Sequence, residues 1–150
     1  MLDFLKHIHS GLRWVALLLL VMAIFNALMR KKSNLYEKKD KMINLFAMIT
    51  LHVQLLIGLW LYFISPKVQF VDKWMSSETA KGMYRFFNLE HFLMMLVAIV
   101  LITIGRKKAE KSTTIADKHK KILVWYTIVL LIIIAAIPWP FRTHLYSSWI

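Results

Sequence analysis

The 150 residues are 59% hydrophobic with a mean hydropathy of +0.55, more apolar than an ordinary soluble domain, and the excess falls in blocks. A formal charge of +12 leaves three readings open: nucleic acid, anionic lipid, or the sidedness of a membrane protein. With no cysteine in the sequence, disulfides, thiolate zinc, iron–sulfur clusters and covalent c-type haem attachment are all excluded.

Four apolar blocks follow one another, at about 4–29, 42–64, 83–105 and 122–139. Each is close to the ~20 residues that a helix needs to cross the hydrocarbon of a bilayer. Backbone groups in lipid must bond internally, so each block is expected to be a helix. The expected fold class is therefore all-α: an integral membrane four-helix bundle, up-down and antiparallel, forming one domain over 1–150. Pro66 should follow the second helix, Gly105 should end the third, and Pro138 with Pro140 should close the fourth.

The loops set the orientation. The first, RKKSNLYEKKDK, and the third, RKKAEKSTTIADKHKK, hold most of the basic residues. The positive-inside rule puts both in the cytoplasm and both termini outside, as in a multi-pass protein of the bacterial inner membrane. Topology accounts for the charge, so nucleic acid is set aside, and contact with anionic lipid headgroups is a side effect. Aromatic residues such as Trp60, Trp74 and Trp139 gather at the expected outer interface. The middle loop should lie along that surface, with Trp74 and Met75 as anchors.

Ionisable groups inside membrane segments are costly and therefore candidate functional residues. The first helix carries Lys6, His7, His9 and Arg13, the second His52 with Gln54, and the third Glu90 with His91. The fourth has no ionisable residue at its centre and reads as a packing or lipid-facing wall. At 1.5 Å per residue, these groups converge on the outer half of the bundle from three helices. Histidines on different helices are the donor set for a noncovalent haem b. His52 and His91, roughly one helical turn apart in depth, are the preferred axial pair; His9 and His91, nearly level, are the alternative. His9 or Arg13 would then meet the propionates, and Glu90 would pair with Arg13 or Arg85.

Two other readings stand beside haem. His7, His9, His52 and His91 include nitrogen ligands suited to copper or zinc, although His7 and His9 project about 200° apart on one helix. The chain could also be a cofactor-free accessory subunit of a larger membrane complex, or a homo-oligomer. A single intramembrane histidine is often only an interhelical hydrogen-bonding group. His119 and His144 are expected to be solvated.

The stretches KHIHSGLRWVALLLL, HVQLLIGLWLYFISPKVQF, EHFLMMLVAIVLITIGR and IPWPFR resemble short four-helix bacterial membrane proteins labelled cytochrome b-like. The resemblance covers nearly the whole chain. It implies noncovalent haem b with histidine ligands, and so one-electron transfer, with a quinone or another redox carrier as partner.

Overall fold

A computed structural model describes residues 1–145. Four long helices dominate: α1 (Leu2–Arg30), α2 (Lys38–Ile64), α3 (Thr79–Glu110) and α4 (Ile115–Ala136), each long and apolar enough to span a bilayer. No strand occurs among the described residues. The chain is an all-α, multi-pass membrane protein, as its hydropathy predicts.

The helices pack as a ring, with α1 on α2, α2 on α3, α3 on α4, and α4 back on α1. Helices α1 and α3 therefore stand diagonally. The buried positions show why. They fall at alternating steps of three and four: Ala16, Leu20, Ala23 and Ala27 on α1, and His119, Ile122, Tyr126, Val129, Ile133 and Ala136 on α4. Such a seam makes neighbouring helices cross at a shallow angle. Alanines on α1 let backbones approach, because lipid gives apolar side chains no reason to prefer the interior. Large residues face outward, Phe25, Leu56, Val100 and Leu131 among them.

Gly105 does not end α3, which continues to Glu110. The glycine is instead buried against Trp125, whose Cβ and Cγ occupy the space that a Cβ at 105 would need. The fourth helix starts earlier than its apolar block, where the Thr114 hydroxyl accepts from the Asp117 amide at 3.2 Å. It stops at Ala136, short of 139, because Ile137 precedes a proline and turns extended (ψ 129°). The second helix begins at Lys38, where Glu37 and Asp40 form a reciprocal capping box.

The basic end of the bundle holds a polar cluster that the chain order hides. Asp40 is fully buried and accepts from Asn26 at 2.7 Å, from Arg30 at 3.1 Å and from the Glu37 amide at 2.6 Å. The Tyr36 hydroxyl donates to Glu110 at 2.6 Å, and Tyr126 donates to the Asn44 carbonyl at 2.7 Å. His119 is buried, not solvated: its Nε2–H donates to the Leu35 carbonyl at 2.9 Å and its ring lies edge-on to Tyr36. His144 is half-buried, in the short turn Thr143–Leu145. Polar groups thus occupy both ends of the bundle, and α4 contributes Tyr126 and His119 to its core.

Candidate functional site

At the opposite end, where α1 begins and α4 finishes, a cavity of about 410 Å³ opens among the helices. That size lies within the range of small-molecule sites. His9 and Arg13 enter from α1, Gln54 and Gly58 from α2, and His91 from α3. Lys6, His7 and Lys67 also border it.

The structure brings His9 and His91 together. Their ring centroids lie 6.5 Å apart at an interplanar angle of 72°. Two imidazoles sharing one metal at N–metal distances of about 2.0–2.1 Å place their centroids roughly 6 Å apart when collinear. The pair comes from the diagonal helices α1 and α3 and so spans the bundle interior.

Each imidazole has a distinct environment. His91 Nδ1 lies 2.7 Å from the Ala136 carbonyl, which can only accept. Nδ1 therefore carries the proton, and Nε2 keeps its lone pair. The ring packs beside Phe86 and Phe87. His9 Nδ1 is buried with no hydrogen-bond partner among the described residues, as is Gln54 Oε1. The Gln54 amide donates to the His9 carbonyl at 2.7 Å, tying α2 to α1 at this level. Gly58 leaves room for the His9 ring: a Cβ there would stand 3.2 Å from its Cε1. Arg13, one turn deeper, stacks over Trp14 at 5.2 Å.

A polar clasp lies beside the cavity. Asn88, buried in the π-helical turn Phe86–Glu90, accepts from the Gln69 amide at 3.1 Å and donates to its carbonyl at 2.7 Å. The Tyr62 hydroxyl donates to the Asn88 carbonyl at 3.0 Å. The middle loop is thereby held down beside the cavity, which Lys67 and Val68 line. Phe70 packs edge-on against Trp74, which is half-buried, and Met75 is exposed.

His52, half of the preferred axial pair, is not in this cavity. Its Nδ1 bonds the Met48 carbonyl at 2.8 Å, and its Nε2 lies 3.4 Å from Thr103 Oγ1. Thr103 is twelve residues beyond His91, about 18 Å along the helix, so the two histidines differ by some three turns rather than one. The discrepancy arises because the first turns of α3 overhang the bundle and leave His91 level with the last turn of α4. Glu90 pairs with Arg85 at 2.7 Å and does not border the cavity. His7 is exposed, and its Nδ1 meets the Asp3 carbonyl at 2.6 Å. Among the described residues, no three His, Cys, Asp or Glu side chains gather as a ligand set for an ion.

Sequence reasoning found His9, Arg13, Gln54 and His91. The sequence also offers Gly58 and Gly11 as places where a flat ring can approach the backbone, and it is Gly58 that faces a ring, that of His9; the Ala136 carbonyl as a partner for His91 is missed. Comparison with protein-family models, curated proteins and solved structures finds no match to this chain.

Proposed function

We propose that this protein is a membrane b-type cytochrome, similar to the four-helix proteins labelled cytochrome b-like, that binds one noncovalent haem b between His9 and His91 and passes single electrons. The observation that carries the reading is the approach of two imidazoles from diagonal helices inside an interior cavity. The donor set fits the group: His91 has a bare Nε2, and His9 has a buried nitrogen without a partner. Haem b supplies a reversible one-electron iron couple; the protein supplies position, charge and exclusion of water.

The division of labour follows from the residues. His91 is oriented by the Ala136 carbonyl, and His9 is given room by Gly58. Lys6, Arg13 and Lys67 border the cavity, and their cationic groups would favour the anionic propionates. The loop clasped by Asn88 would limit access of water. Electron transfer is the role a haem held by two histidines would serve, quinol being a suitable donor.

By the positive-inside rule the basic loops favour a cytoplasmic position for the end carrying Asp40 and Glu110, which would put the cavity end and both termini on the outer side of a bacterial inner membrane. The test is spectroscopic. Protein purified in detergent after expression with haem supplied should show a Soret band, and dithionite should sharpen an α band. A colourless protein rejects the proposal.

A further inference from the structure

The end of α4 reads Ile134-Ala135-Ala136-Ile137-Pro138-Trp139-Pro140. In a continuing helix each carbonyl accepts from the amide four residues on. For Ile134 that residue is Pro138, and for Ala136 it is Pro140. Neither proline has an N–H to give. Two carbonyls at this helix end are thus denied their α-helical donors by covalent structure.

Both are taken by side-chain ring nitrogens. Trp139 Nε1 donates to the Ile134 carbonyl at 2.9 Å. His91, arriving from α3, has its Nδ1 2.7 Å from the Ala136 carbonyl. The neighbouring groups pair within the backbone: the Ile137 amide with the Ile133 carbonyl at 3.0 Å, and the Trp139 amide with the Ile137 carbonyl at 2.9 Å. Leaving carbonyls unmet in the buried or lipid-facing part of a membrane helix would be costly, so the proline pair creates a demand that the indole and the imidazole satisfy.

We propose that the Ile137-Pro138-Trp139-Pro140 turn is the positioning element for His91: it reserves the Ala136 carbonyl for the imidazole Nδ1–H and so holds Nε2 bare as the binding atom. That Nε2 binds haem iron rests on the function proposed above; the tautomer does not. Outer partners of this kind fix the ring orientation and raise the basicity of a ligating histidine. Pro138 itself borders the cavity while Pro140 does not, so the tautomer of His91, rather than haem affinity, isolates the positioning role.

The experiment uses the full chain, ¹⁵N-labelled at histidine, prepared without haem in detergent at about pH 8.5, where an ordinary imidazole is neutral. Nitrogen NMR reports the tautomer, and His91→Gln assigns the resonance. The wild-type protein should show His91 as the Nδ1–H form. In Pro138→Ala/Pro140→Ala, the new amides let α4 continue and claim Ala136, and His91 should move to the Nε2–H form. Trp139→Phe frees only the Ile134 carbonyl and should leave His91 unchanged. Circular dichroism checks that the double variant has gained helix. In haem-loaded samples, the double variant should hold haem about 10–100-fold less tightly.

A wild-type His91 in the Nε2–H form overturns the proposal, even if the double variant does not fold. So does an unchanged Nδ1–H form in a double variant with a longer helix. A colourless wild-type protein with the expected tautomers would reject the haem reading alone and leave the positioning role intact.

Discussion

Tyr36 illustrates how single residues are tuned at the basic end. Burial and then its hydrogen bond to Glu110 push the phenol above its ordinary value, so the fold favours the neutral form. A group with a raised value contributes stability that is fully present below the unfolded value, near 10, and is lost as pH rises toward the folded one. Thermal unfolding followed between about pH 9 and 11 should therefore show a falling midpoint that flattens in Tyr36→Phe. Nearby, Arg30 holds the exposed Glu37 carboxyl below the usual carboxylate range. At this scale the sequence was partly legible. Polar residues inside apolar runs identified His9, Arg13 and His91, because lipid makes them conspicuous. His119 was misread, since a histidine within a lysine-rich stretch carries no sign that a neighbouring tyrosine will cover it.

At the scale of elements, α3 and α4 meet where a glycine faces a tryptophan. Gly105→Ala would drive a methyl group into the base of the Trp125 side chain, which cannot swing away. Overpacking of this kind costs about 1–3 kcal/mol, and the detergent-solubilised variant should melt at a lower temperature. Equal stability would show that the helices can part freely. Helix existence was plain from hydropathy, but the seams were not. Among uniformly apolar residues the inward face is marked by alanine, glycine and a few amides rather than by hydrophobicity, so periodicity of hydropathy gives little contrast. The same uniformity hid the depth of His52, because the overhanging first turns of α3 shift its register against α2.

At the scale of the whole molecule, the charge asymmetry and the cavity occupy opposite ends. The chain has no cysteine, which gives a clean background for labelling. A single cysteine at Lys73, in the middle loop, should react with a membrane-impermeant maleimide added to intact cells. One at Lys39 should react only after the membrane is opened. The reverse pattern would invert the topology and put the histidine cavity on the cytoplasmic side. The four-helix architecture follows from length and hydropathy alone. The order of helices around the bundle does not, and that order is what places α1 and α3 diagonally and sets the His9 ring, rather than that of His52, beside His91.

That selection is the most direct test. The reduced-minus-oxidised absorption spectrum should be recorded for wild type, His9→Ala, His91→Ala and His52→Ala, expressed and purified alike with haem supplied. A six-coordinate b-type spectrum is expected in wild type and His52→Ala, and its loss in His9→Ala and His91→Ala. A spectrum lost in His52→Ala but kept in His9→Ala, or absent from the wild type, would contradict the pairing of His9 with His91 around a haem.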